Sequence, residues 1–168
     1  SLGDTRQLAG DARRAYDDFI AAGGRCESWS PAVLDSDVIV DALYGTGLAR
    51  SVSGEAAVMI EAVNACGRPV VAVDVPSGLH ADSGAVLGVA TRAALTVTFI
   101  GRKLGLYLGA APEHVGHLVF DGLQVPPETY SVATPAARLL GETDVLEALP
   151  RRRRSAHKGD HGHVLVIG

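Results

Sequence analysis

Short, continuous apolar runs, two of them followed or closed by an aspartate, constrain the fold of this chain more than any other feature. The first run covers residues 37–41 and ends in Asp41, and the second covers residues 69–73 and is followed by Asp74. Residues 96–100 and 117–120 form two further runs. Continuous β-branched runs are typical of strands that are buried on both faces of a parallel sheet.

Helical patterns lie between these runs. Residues 10–22 place apolar side chains at helical spacing before two glycines, and a second helix is predicted after Ser53, which can cap it. Val58, Ile60 and Val63 would form the apolar side of that helix. A short edge strand is predicted over residues 25–29. The pattern predicts an α/β fold with a mostly parallel sheet covered by helices.

Composition narrows the class of protein. Of 168 residues, 47% are hydrophobic and 20% are charged, which is typical of a globular domain. The net charge of −4 argues against a nucleic-acid binder, and no apolar run reaches the roughly 18 residues that a membrane helix needs. Cys26 and Cys66 lack the spacing of a disulfide framework or zinc site, so we expect reduced thiols and a cytoplasmic location.

Asp41 and the glycine loop after it form the first candidate site. In such sheets ligands bind beyond the carboxyl ends of the strands, where both Asp41 and Asp74 are predicted to lie. Gly45-Thr46-Gly47 would let a ligand approach the backbone amides. Arg50 replaces the third glycine of a dinucleotide fingerprint, and no Gly-Lys-Ser/Thr element follows. A tight turn capped by the aspartate is the alternative interpretation.

The turn Asp74-Val-Pro-Ser77-Gly78 forms the second candidate site. A carboxylate and a hydroxyl three positions apart, braced by proline, suit a hard cation or a ribose. An Asx-type turn that closes the strand is the alternative. Lys103 is able to contact phosphate, although exposed surface lysines are the rule. His114 and His117 are too few ligands for a metal site.

Several of these stretches together resemble the NAD(P)H-hydrate epimerase family, also called the YjeF N-terminal domain. The resemblance covers residues 1–125, and residues 156–168 look like the opening of the partner NAD(P)H-hydrate dehydratase domain, with residues 126–155 as a linker. It implies a Rossmann-like three-layer sandwich that is incomplete at its N-terminus, followed by the start of a ribokinase-like domain. The matching stretches are Val40-Asp-Ala-Leu-Tyr-Gly-Thr-Gly-Leu48, Val73-Asp-Val-Pro-Ser-Gly-Leu79, Thr98-Phe99 and Lys103-Leu-Gly-Leu-Tyr-Leu-Gly109.

The resemblance implies metabolite repair. The epimerase interconverts the R and S epimers of hydrated NADH or NADPH, and the dehydratase removes water from the S form using ADP or ATP. Residues matching Asp41 and Ser77 would bind potassium, and Asp41 and Asp74 are both candidates for the catalytic acid or base, with the role left open. The implied substrate contacts are Asp74 and the loop Gly45, Thr46, Gly47, Leu48, Ala49, Arg50 and Ser51.

The family's Asn-Asn-Gly-Gly-Asp loop, which contacts phosphate and potassium, does not occur in the sequence. We therefore expect little or no epimerase activity from the isolated chain. A non-catalytic nucleotide- or protein-binding module is the alternative function, and a phosphoryl-transfer enzyme is disfavoured because the phosphate-loop element is missing. A homo-oligomer is compatible with the sequence.

Overall fold

Four parallel strands make up the sheet in the computed structural model, which describes residues 4–149, 155 and 165–166. Their order across the sheet is the order along the chain. Each neighbouring pair is parallel, so the prediction of an α/β fold with a parallel sheet is confirmed. The strands are β1 (Ile39–Asp41), β2 (Val70–Val73), β3 (Leu95–Phe99) and β4 (His117–Asp121).

Two helices accompany the sheet within the unit Ser1–Ala133. They are α1 (Gly10–Ala21) and α2 (Gly54–Ala65), close to their predicted positions. Ser53 occupies the N-cap position of α2, but its side chain makes no capping hydrogen bond. Neither helix is long and apolar enough to cross a membrane, nor is any other helix in the described ranges.

The predicted apolar side of α2 is only partly right. Ile60 is fully buried against Val52 and Ala56, whereas Val58 is 58% exposed. Residues two apart in a helix are rotated by about 200° and so point to opposite sides. One face of α2 therefore packs on the loop after β1, and the opposite face does not.

The edge strand predicted over residues 25–29 was wrong. These residues have no regular structure, and among the residues described here β1 pairs only with β2. Arg25 and Trp29 instead line a cleft of about 390 Å³ beside β1. The segment Arg-Cys-Glu-Ser-Trp has no continuous apolar run, and without a hydrogen-bonding partner strand so short a segment does not form a strand.

The connection from β2 to β3 builds much of the core. Its buried residues pack against residues that follow β3, and the isolated bridge between Leu79 and Val86 closes a small loop within it. This connection is therefore an ordered part of the fold that holds the carboxyl end of β2 in place. The core cluster consists of Val75, Leu79, Ala81, Ala90, Leu106, Ala111 and Val115.

A second unit, Thr134–Gly168, contains α3 (Glu142–Ala148). The four arginines at residues 151–154 lie outside the described residues, as do nearly all of residues 156–168, which were expected to open the dehydratase domain. The predicted linker and dehydratase domain therefore stay predictions.

Candidate active site at the strand ends

Asp41, the last residue of β1, is 5% exposed and is held by Ser77 in the turn after β2. Its Oδ1 accepts a hydrogen bond from Ser77 Oγ at 2.6 Å, and its Oδ2 accepts one from the Ser77 backbone N–H at 2.8 Å. Both carboxylate oxygens of Asp41 thus contact a single residue. Because the two elements are neighbouring parallel strands, these contacts fasten their carboxyl ends together.

Ser77 also reaches the loop that follows β1. Its Oγ accepts a hydrogen bond from the Tyr44 backbone N–H at 2.9 Å, and the Leu43 N–H donates to Asp41 Oδ1 at 3.3 Å. One hydroxyl group therefore joins the end of β1, the start of the glycine loop and the turn after β2. The side chain is 1% exposed, so this junction is shielded from water.

The glycine after Ser77 allows the close packing that this junction needs. Gly78 has φ +91°, and a Cβ there would lie 1.9 Å from the Val89 carbonyl oxygen. Only glycine tolerates both conditions. The backbone carbonyl of Ser77 accepts from the Thr91 N–H at 2.8 Å, which anchors the turn on the other side.

Asp74 lies just past β2 in a left-handed backbone conformation with φ +72°. Its Oδ1 accepts hydrogen bonds from Thr98 Oγ1 at 3.1 Å, from the Phe99 N–H at 3.2 Å, and from Lys103 Nζ. Within the described part of the chain, no hydrogen bond reaches Asp74 Oδ2. One carboxylate oxygen is therefore fixed by three donors while the other is available to a ligand.

The surroundings of Asp74 favour its ionised form. Burial raises the pKa of the Asp74 carboxyl, but the Lys103 ammonium, the Phe99 N–H and the Thr98 hydroxyl together lower that pKa below its usual value. Each of these donors bonds to the carboxylate and so stabilises the charged form. Asp74 is thus a carboxylate at neutral pH.

Lys103 was expected to be an ordinary exposed lysine, and that expectation was wrong. Its side chain is 18% exposed, and its Nζ also donates to the Phe99 carbonyl oxygen at 2.9 Å and to Thr98 Oγ1 at 3.3 Å. Two sequence signals point to Lys103: it follows β3 by four residues, and it begins one of the family-like stretches.

The glycine loop surrounds a cleft of about 470 Å³. A Cβ at Gly45 or Gly47 would meet nothing within 4 Å, so the backbone there is open to an incoming group. Thr46 does not line this cleft, and Ser51 lines an adjoining one of about 310 Å³. The residues lining the larger cleft are Leu43, Tyr44, Gly45, Gly47, Leu48, Ala49 and Arg50.

The chemistry of the Asp41–Ser77 junction suits a hard cation better than a transition metal. It offers a carboxylate, a hydroxyl and the Tyr44 carbonyl oxygen, which lies 3.4 Å from Ser77 Oγ. Oxygen ligands of this kind are those that potassium and calcium take. The described residues contain no group of three or more His, Cys, Asp or Glu side chains able to hold a metal. His114 is buried with Nδ1 2.9 Å from the Thr91 carbonyl oxygen, which is a structural contact.

Comparison with known proteins identifies the family of the chain. Residues 1–105 match the family described as YjeF-related protein N-terminus. The bifunctional NAD(P)H-hydrate repair enzyme Nnr of Coxiella burnetii is 41% identical over 172 residues, covering 98% of this chain and 35% of that protein. The Escherichia coli protein of the same name is 37% identical over 167 residues, covering 97% and 32%.

A shorter relative is the NAD(P)H-hydrate epimerase of Limosilactobacillus fermentum. It is 50% identical over 90 residues, which are 53% of this chain and 43% of that protein. The chain spans about a third of the length of the bifunctional relatives. The family match covers well over half of the sequence, and this chain therefore belongs to the YjeF-related N-terminal family.

Proposed function

We propose that this chain supplies part of an NAD(P)H-hydrate epimerase site, which interconverts the R and S epimers of hydrated NADH or NADPH in metabolite repair. The observation that carries the proposal is the arrangement at the strand ends: Asp74 with one unbonded carboxylate oxygen, beside the Asp41–Ser77 junction and the open glycine loop. The name of the Limosilactobacillus relative supports the same activity.

The two aspartates would have different roles. Asp74 Oδ2 would accept a proton from the hydroxyl group of the hydrated nicotinamide ring, because Asp74 is ionised and that oxygen makes no hydrogen bond to the described residues. The C–N bond of the same carbon would then open to an aldehyde as the ring nitrogen gains a proton, and reclosure on the other face, with Asp74 returning its proton to the oxygen, would give the other epimer. Both Asp41 oxygens are already bonded to Ser77, so Asp41 would position the turn. The substrate-facing loop Gly45–Ser51 would take the phosphate groups through its backbone amides and Arg50.

Potassium fits the Asp41–Ser77 junction by the oxygen chemistry of its donors. Asp41 and Ser77 would help to hold the ion, which when bound would supply a fixed positive charge near the anionic dinucleotide. The residues themselves hold the two strand ends in register whatever ion is present.

The full-length protein that carries this sequence would also dehydrate the S epimer using ADP. The support is that relatives aligned with 97–98% of this chain are named bifunctional repair enzymes. No dehydratase role is assigned to any residue, because residues 156–168, where that domain is expected to begin, lie almost entirely outside the described part of the chain.

The test uses the full-length protein and follows both epimers of hydrated NADH by chromatography, with the uncatalysed rate subtracted. Asp74→Asn keeps the shape of the side chain and should slow equilibration by about 10²- to 10⁴-fold, the usual contribution of an acid–base group. The matched control is Asp18→Asn, because Asp18 is exposed on α1 and should leave the rate unchanged.

The wild-type rate of equilibration, measured with and without potassium, tests the proposed ion. The 168-residue chain alone should show little activity. A wild-type protein that binds hydrated NADH without speeding equilibration would refute the epimerase proposal and favour the non-catalytic binding module. Equal rates for wild type and Asp74→Asn would refute the role given to Asp74.

A further inference from the structure

We propose that Lys103 is a positioning residue of this site: its ammonium group fixes Oδ1 of Asp74, so that Oδ2 alone is presented to the substrate. The inference rests on the proposed epimerase function and adds a residue to it. Its support is the set of contacts between the end of β2 and the turn after β3.

Three donors converge on the same oxygen. Thr98 Oγ1, the Phe99 N–H and Lys103 Nζ all donate to Asp74 Oδ1. Two of these donors belong to β3, which is rigidly paired with β2, and Lys103 follows from the next turn. With Oδ1 held from three directions, the carboxylate plane is fixed and the position of Oδ2 is determined.

The turn after β3 adopts an unfavourable conformation as it brings Lys103 back to Asp74. Ile100 has φ +63°, a left-handed conformation that is unusual for a β-branched residue. The turn is closed by the Lys103 ammonium donating to the Phe99 carbonyl oxygen at 2.9 Å. Strain of this kind costs about 1–3 kcal/mol and is concentrated at functional sites.

The pair differs from an ordinary surface ion pair. The side chains of Lys103 and Asp74 are 18% and 25% exposed, while other acid–base pairs in the described chain involve a partner exposed by more than 40%. Lys103 is the one charged group that the described residues place against Asp74, since the other contacts come from Thr98 and Phe99. A half-buried carboxylate with a single cation is sensitive to the loss of that cation.

The experiment compares Lys103→Met, Lys103→Arg and the matched control Arg102→Met in the full-length protein. Arg102 is the neighbouring cation, but its guanidinium lies over the Phe120 ring, 5.1 Å from the centroid, and not against Asp74. The readouts are kcat, KM and the pH dependence of kcat/KM for equilibration of hydrated NADH.

Lys103→Met should lower kcat by about 10²-fold, the usual cost of misplacing a reacting group by 1 Å, with KM changed much less. The acidic limb of the kcat/KM profile should move to higher pH, because the ammonium group lowers the pKa of Asp74 and its removal lets that pKa rise relative to wild type. Lys103→Arg should keep the acidic limb near its wild-type position, and Arg102→Met should match wild type throughout.

The outcomes separate the two proposals. An inactive wild-type protein would refute the epimerase function and this inference with it. An active wild type with an unchanged pH profile and kcat in Lys103→Met would refute the positioning role alone. If Lys103→Met fails to fold, Lys103→Gln, which also removes the charge but keeps a polar side chain, decides the question: an unchanged acidic limb and kcat in that folded variant would also refute it.

Discussion

The substitution Ser77→Ala should destabilise the fold more than the loss of a serine hydroxyl on a strand-end turn ordinarily does. The change removes the 2.6 Å hydrogen bond from Ser77 Oγ to Asp41 and the acceptor of the Tyr44 N–H. A hydrogen bond to a charged group contributes about 1.5–3 kcal/mol, and a partly buried N–H left unpaired costs about 1 kcal/mol more. The Ser77 N–H still donates to Asp41 Oδ2, so we expect a total loss of about 3 kcal/mol.

Urea unfolding of the chain, followed by circular dichroism, measures this loss. With a denaturant slope of about 1–3 kcal/mol/M, the midpoint should fall by about 1–3 M. Ser131→Ala is the matched control in the same unit, because Ser131 is exposed and its Oγ donates to the Glu128 carbonyl oxygen. The control should change stability by less than about 0.5 kcal/mol. A Ser77→Ala loss as small as that of the control would refute the reasoning that one hydroxyl joins three segments.

Three further changes test the backbone and the charge of the site. Gly78→Ala should destabilise strongly, since its Cβ would lie 1.9 Å from the Val89 carbonyl oxygen, whereas Gly45→Ala should be nearly neutral by urea unfolding. Ile100→Gly should relieve the strain of φ +63° and leave stability unchanged or raised, measured by thermal unfolding. Asp74→Asn should lose stability relative to wild type at neutral pH, and this loss should shrink as the pH falls below about 4, measured by urea unfolding at each pH.

The sign of the pH effect follows from the lowered pKa of Asp74. A carboxyl whose pKa is lower in the folded state contributes stability that is fully present above the unfolded pKa of about 3.9 and is lost as pH falls through the folded pKa. Subtracting the Asp74→Asn data removes the contributions of Asp4 and Asp144, whose carboxyl pKa values are also lowered. A difference that grows as the pH falls would contradict this sign, and a stable Gly78→Ala or a destabilised Ile100→Gly would contradict the backbone arguments.

The sequence was sufficient to predict the strands because buried parallel strands have a composition of their own. The runs ending at Asp41 and before Asp74 became β1 and β2, and both aspartates lie at the carboxyl edge of the sheet. Three-residue spacing also predicted that Asp74 and Ser77 share one turn. Their placement depends on local composition and chain direction, which a single sequence contains.

Long-range pairings were not predictable in the same way. The local pattern predicted that Ser77 acts with Asp74, three residues away, and the family resemblance alone grouped it with Asp41; in the structure Ser77 bonds to Asp41, 36 residues away. Asp74 in turn bonds to Lys103, 29 residues away. These partners depend on strand register and on a left-handed turn at Ile100, and neither is visible in a pattern of apolar and polar residues.

Two nearly identical sequence features, an apolar run and then an aspartate, have therefore become chemically different groups. Asp41 is the last residue of its strand, and its carboxylate lies in the buried layer where Ser77 can satisfy both oxygens. Asp74 comes one residue after its strand, where the left-handed backbone turns the side chain towards β3 and satisfies only one oxygen. The Asp41 oxygens both face Ser77 in a buried junction, whereas Asp74 Oδ2 makes no hydrogen bond to the described residues and is open to a substrate. This one-residue difference in where each aspartate meets its strand is why the proposal gives proton transfer to Asp74 and positioning to Asp41.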